Sequence, residues 1–240
     1  MNAAYLEGVL AVLVGLAVWS GVPFYRRLVR PRIKGWQGEK RLQELLELFE
    51  FEAVHNVYVP NAEGELAQVD HIVKFQNTLG VVETKNFSGE IFAVEYAKSW
   101  VQTINGHDYK FPNPLGQAKR QVEHLKNMLP DINIRGTVVY AGDATFTVDT
   151  PNDVFTFDEF RHDLAKYKKR KHLHDHSPEL DAAWLEVVDQ ASQTSREMKR
   201  KHLSDIHKNR DRDWRKAFIA ARFTILALSA AGLGVYRLAM

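Results

Sequence analysis

The chain has 240 residues, enough for one generous domain with accessory segments. Apolar residues make up 45% of it and charged residues 26%, so a packed core is within reach. The formal charge of +2 favours no class of partner, because nucleic-acid binding depends on where basic residues sit. The absence of cysteine excludes disulfides, thiolate metal sites and a cysteine nucleophile.

Residues 8–25 read GVLAVLVGLAVWSGVPFY, a run without charge. With residues 3–6 ahead of it, the run approaches the roughly 20 residues that a spanning helix needs. Arg26, Arg27, Arg30, Arg32 and Lys34 follow, and no Lys or Arg precedes it. This asymmetry places the N-terminus outside and the rest of the chain in the cytoplasm. A cleaved signal peptide carries its positive charge before the apolar run, the reverse of this order. Residues 1–26 are therefore expected to be a transmembrane anchor.

A helical spacing of Leu42, Leu45, Leu46 and Phe49 follows over 37–51. Short β-prone runs cover 54–60 and 67–75, with a turn over 61–65, and a second turn covers 77–80. Strands are expected at 81–85 and 90–94. Pro114 opens a helix over 115–129, whose apolar face carries Leu115, Ala118, Val122, Leu125 and Leu129. Strands at 134–140 and 153–157 and a helix at 158–167 complete the pattern. Helix, three-strand meander, further strand, helix and strand in this order predict an α/β sandwich rather than a bundle.

Residues 168–177 (KKRKHLHDHS) form a charged, histidine-rich surface segment, and Pro178 introduces a long helix to about residue 215. The first half of that helix has a partial apolar stripe; its second half is nearly all polar. Residues 217–239 are apolar except for Arg222 and Arg237, which can snorkel to opposite interfaces, so a second spanning helix is expected there. The expected organisation is an anchor at 1–26, a folded domain at 33–170, a charged loop and polar helix at 171–216, and a second membrane helix at 217–239.

The residues that carry chemistry lie on the second and third strands. Asp70 sits in Gln68–Val69–Asp70–His71, and Glu83, Thr84 and Lys85 close the third. Residues two apart on a strand share a face, so Glu83 and Lys85 point together. Two carboxylates on paired strands can share a hard divalent cation, leaving positions for water and a substrate phosphate. A neighbouring lysine can orient that water or stabilise charge in the transition state. Taken alone the pattern is weak, since acidic and basic residues alternate along many solvent-facing strands. His71 should project to the opposite face, as a packing or surface residue. His172, His174 and His176 sit beside lysines and read as a solvated basic loop. Trp100, Tyr96 and Tyr109 read as core aromatics more readily than as base-stacking platforms, and Asn105–Gly106 is a turn.

The surrounding words are more specific: Gly35–Trp36–Gln37–Gly38–Glu39, Val69–Asp70–His71–Ile72–Val73, Val82–Glu83–Thr84–Lys85–Asn86, Ser88–Gly89–Glu90–Ile91, Trp100, and Asn113–Pro114–Leu115–Gly116–Gln117. In this order and spacing they resemble the nuclease-related domain, a branch of the PD-(D/E)XK nuclease-like superfamily, from about Gly35 to Tyr140. The resemblance implies a restriction-endonuclease-like sandwich, a central mixed sheet flanked by helices. It implies that Asp70 and Glu83 hold magnesium or manganese, with the Thr84 carbonyl as a further ligand. Lys85 would act on the attacking water, Glu39 would bind a metal water, and Gln117 would lie near the site. The implied activity is phosphodiester hydrolysis in DNA or RNA by a membrane-tethered nuclease facing the cytoplasm. The alternatives are a catalytically inactive nucleic-acid-binding module and a membrane-tethered protein-interaction module.

Overall fold

Apolar residues recurring every three to four positions from Leu42 build a first helix, α1 (Arg30–Leu48), which buries Gly38, Leu42, Leu45 and Leu46. Three strands follow as an antiparallel meander: β1 (Ala53–Pro60), β2 (Leu66–Lys74) and β3 (Leu79–Lys85). β4 (Gly89–Phe92), β5 (Ser99–Ile104) and β6 (His107–Pro112) come next, then α2 (Pro114–Met128). After α2 the chain forms β7 (Ile134–Tyr140), β8 (Ala144–Phe146), β9 (Val154–Thr156) and α3 (Phe157–Arg170). Residues 178–193 are helical and are termed α4. This computed structural model describes residues 30–60, 66–170 and 177–193, together with Gly8. Apart from Gly8, both apolar segments expected to span a membrane lie outside these residues, as do the 61–65 turn, the histidines at 172, 174 and 176, and the polar half of the last helix. Among the described residues no helix is long and apolar enough to cross a membrane.

Two mixed sheets organise the domain. The larger has the order β1-β2-β3-β7-β9, with β3, β7 and β9 parallel; the smaller has the order β6-β5-β4-β8. On one face of the large sheet, Val57, Val69, Ile72 and Val81 pack with Leu125 and Leu129 at the end of α2 and with Leu180, Trp184 and Val187 of α4. On the other face, Val73, Val82 and Val139 pack against Leu42, Leu45 and Leu46 of α1 and Phe160 and Leu164 of α3. The result is helices on both faces of the large sheet. The apolar stripe expected on the last helix is accounted for by this packing.

The small sheet contains elements that the sequence reading passed over: the β5–β6 hairpin and β8. Asn105 and Gly106, both at positive φ (52° and 75°), make the hairpin's two-residue turn. The hairpin buries Trp100 at 1% exposure, whereas Tyr96 and Tyr109 are exposed at 89% and 53%; the core reading holds for the tryptophan alone.

β1 and β2 are not regular. Val69 and Ile72 are three apart yet enter the same apolar cluster, so β2 changes face between them. β1 does the same between Val54 and Val57, and Asn56 lies between these at a left-handed φ of 55°. The cross-strand register omits only the Asn56–Asp70 pair. Beside this break His71 is buried, and its Nδ1 shares a hydrogen bond of 2.7 Å with Nδ1 of His55.

Burial, and secondarily the neighbouring His55, hold His71 down to about 3 from an ordinary 6.5. The unfolded chain therefore binds a proton that the folded chain refuses between these values, and stability falls as pH drops from 6.5 toward 3. In urea unfolding across this window, His71→Leu should lose less stability on acidification than the parent. Equal acid slopes for the two proteins would contradict the buried neutral state.

Candidate active site

Glu83 sits in β3, whose other residues up to Thr84 are all buried, and is itself only 2% exposed. A carboxylate so placed must be paired or hydrogen-bonded to stay ionised. Its Oε1 accepts from Lys85 Nζ at 2.5 Å and its Oε2 from Gln121 Nε2 at 2.8 Å. Lys85 Nζ also donates to Gln117 Oε1 at 3.1 Å. The strand spacing explains the first contact, because Glu83 and Lys85 share a face. The helix spacing explains the others, because Gln117 and Gln121 are one turn apart on α2. Asn113 caps that helix through Leu115 N–H, and Pro114 occupies its first turn, so both glutamines are held on a rigid element.

Asp70 reaches the same place by a different route. The β2–β3 ladder ends at His71–Val82. A regular continuation would pair Thr84 N–H with the carbonyl of Val69; instead Thr84 N–H donates to Asp70 Oδ2 at 3.0 Å. The Lys85 carbonyl accepts from Ala141 N, so Lys85 faces β7 and the peptide groups of Thr84 face β2. The Thr84 carbonyl is thereby directed to the side on which Asp70 lies. The Thr84 hydroxyl is buried and has no partner.

Glu39 joins from α1. Burial, then the Glu83 charge, raise its pKa, while Lys85 opposes the rise. Asp70 is pushed up to about 7, first by burial and then by Glu83; the Thr84 N–H resists this, Glu39 adds to it and Lys85 resists it. Glu39, Asp70, Glu83, Lys85 and Gln117, predicted from different parts of the chain, are thus brought to one site. Gln121 was missed. Its signal was present: a glutamine within the apolar face of α2, beside Ala118, Val122 and Leu125, and 3% exposed.

Chemically, three carboxylates face one ammonium here. Among the described residues no three acidic or histidine side chains close into a metal cage. Magnesium does not require one, because it keeps several waters and is held by one or two carboxylates. The donors available are hard oxygens: Asp70, Glu83 and the Thr84 carbonyl. Beside Glu83, the Oε1 of Gln121 is buried without a partner and can accept from water. This set fits a hard divalent cation.

Residues 34–141 match the nuclease-related domain family. The chain is also 30% identical over 157 residues to an uncharacterized protein of Bacillus anthracis, covering 55% of this chain and 74% of that protein. The chain belongs to the nuclease-related domain family. No solved structure matches it. The matched segment contains Glu39, Asp70, Glu83, Lys85 and Gln117, so the family assignment and the constellation fall on the same part of the chain.

Asp70 titrates at about 7 when folded against an ordinary 3.8, so the folded chain holds the proton more tightly in that window. Stability therefore falls as pH rises from 3.8 to 7. Asp70→Asn keeps an oxygen for the Thr84 N–H but removes the charge. At pH 8 with chelator it should melt higher than the parent by roughly 2–4 °C, about 1 kcal/mol for a domain of this size. The gap should close near pH 4, and manganese should raise the melting temperature of the parent alone. A variant that melts lower at pH 8, or gains equally from manganese, contradicts this electrostatic account.

Proposed function

We propose that this nuclease-related protein hydrolyses phosphodiester bonds of DNA or RNA with magnesium or manganese, using a restriction-endonuclease-like sandwich as its scaffold. The observation that carries the reading is the Glu83–Lys85–Gln117 contact set beside Asp70. An ammonium has three donors. Two of those on Lys85 go to Glu83 and Gln117, which leaves one for a substrate phosphate oxygen or the attacking water. The side chain of Lys85 is 20% exposed, enough to meet substrate while its carboxylate partner stays buried.

Asp70, Glu83 and the Thr84 carbonyl would hold the cation, which supplies positive charge against the phosphate and polarises water. Lys85 orients the nucleophilic water and stabilises the charge that builds on the phosphoryl oxygens. Glu39, with its raised pKa, is placed to take up the proton that the water loses. The water oxygen bonds to phosphorus, the P–O bond to the leaving group breaks, and a proton from solvent neutralises the departing oxygen. Gln117 and Gln121 position the Glu83–Lys85 pair and need not touch substrate.

The apolar segments at 8–25 and 217–239 would tether this domain to the plasma membrane, with the arginines after residue 25 holding it on the cytoplasmic side. The reading is tested with the full-length chain. It should be recovered with the membrane fraction and, in detergent, cut a mixture of DNA and RNA only when magnesium or manganese is present. Asp70→Ala and Lys85→Ala, each checked for folding, should slow cutting by at least about 100-fold. Recovery in the soluble fraction sinks the anchoring. Cutting that survives chelation or both substitutions sinks the mechanism, and a folded wild type that cuts nothing leaves the binding-module alternative.

A further inference from the structure

The parallel strands β3, β7 and β9 end together, and a cavity of about 560 Å³ opens just beyond their carboxyl ends. This is the size range of small-ligand sites, at the sheet edge where open α/β sheets bind ligands. Asn86, next after Lys85, lines it with Gln37 and Arg41 from α1, Asp143 after β7, and Phe157 and Asp158 at the start of α3. Gln37 and Arg41 are one turn apart on α1, while Glu39 lies between them on a different face. The same helix thus serves the catalytic constellation with one face and the cavity with another. Gly142 also borders it; a Cβ there would lie 2.0 Å from the Phe87 carbonyl, so this wall depends on a glycine.

The charges argue against a phosphate site. Among the described residues Arg41 is the only cation lining the cavity, and its guanidinium is already engaged. Its Nη1 donates to the Ala141 carbonyl at 2.5 Å, and its Cζ lies over the Phe157 ring, 3.9 Å from the centroid. Asp143 and Asp158 contribute two carboxylates against it. The Asn86 Nδ2 is spent on the Lys34 carbonyl at 2.7 Å, so that side chain offers an acceptor oxygen. Among the described residues, the side chains of Gln37 and Asp143 have no hydrogen-bond or ion-pair partner. Acceptors therefore dominate, beside a guanidinium–aromatic stack that suits a flat neutral ring.

We propose that this cavity receives an unpaired nucleobase next to the scissile phosphate, holding its N–H-bearing edge with Asp143 and Gln37. It rests on the nuclease reading for the placement of the phosphate. A base can enter such a pocket only when released from a duplex, so the preferred substrate is single-stranded or frayed nucleic acid.

The test measures binding, not turnover. Fluorescence anisotropy of a labelled 12-nucleotide single strand, and of its blunt duplex, is recorded with the full-length chain in EDTA. The single strand should bind at least tenfold more tightly. In the double variant Gln37→Ala, Asp143→Ala, both exposed positions, the preference should shrink to about twofold with duplex binding unchanged. Free nucleosides should compete for the single strand, and inorganic phosphate should not. Equal binding of the two forms, no binding of the single strand, or a preference that survives the double variant overturns the proposal. So does competition by phosphate alone. Because chelator is present throughout, a chain that never cuts but keeps the single-strand preference would refute the nuclease reading and leave the pocket standing.

Discussion

Glu83 is a carboxylate held at 2% exposure in the middle of a five-stranded sheet, and much else is arranged around keeping it there. Removing such a charge from water costs several kcal/mol unless its oxygens are satisfied. Lys85, two residues along the same strand, takes one oxygen, and Gln121 on the helix above takes the other. Each of these is fixed in turn. Lys85 is held from above by Gln117, and Gln121 donates also to the carbonyl of Gln68 on β2. The packing of α2 on the sheet and the polar chemistry of the site are therefore one structure. The apolar contacts of Leu125 and Leu129 set the height of the helix at which both glutamines reach down.

The second constraint is the break in β2. By changing face between Val69 and Ile72, the strand frees Asp70 from its ladder position and lets its carboxylate cap Thr84 N–H. A regular antiparallel pair would have consumed the peptide groups of Thr84 and left no oxygen-lined opening. Like a β-bulge, though without an inserted residue, the break re-aims a side chain toward the site. Here the break gathers negative charge beside Lys85, and burial first, then the Glu83 charge, raise the pKa of Asp70. A divalent cation would relieve that charge.

The large sheet was legible because its strands are short apolar runs bounded by turns, and α1 and α2 because their leucines repeat at helical spacing. The quoted motifs implied that Glu39, Asp70, Glu83, Lys85 and Gln117 come together, since these residues lie in local words on regular elements. Of the small sheet only β4 and the Asn105–Gly106 turn were legible. β6 reads HDYKFP and is exposed along nearly its whole length, so it lacks the alternation that marks a half-buried strand. β8 is three residues long, too short for a period to register. Gln121 escaped notice because a glutamine on an apolar face carries no local sign of its partner 38 residues away. The face change in β2 was hidden for a like reason: it lies opposite the left-handed Asn56 of the neighbouring strand, 14 residues from Asp70 in the chain.

The central claim is that the charge excess at Asp70 and Glu83 is a cation site. Calorimetric titration of the full-length chain with manganese, at pH 8 and at pH 6, tests it most directly. The account predicts one manganese per chain at pH 8. With Asp70 titrating at about 7, binding should weaken roughly tenfold at pH 6, as the proton competes for the same carboxylate. No binding at pH 8, or equal binding by the Asp70→Asn variant, would contradict it.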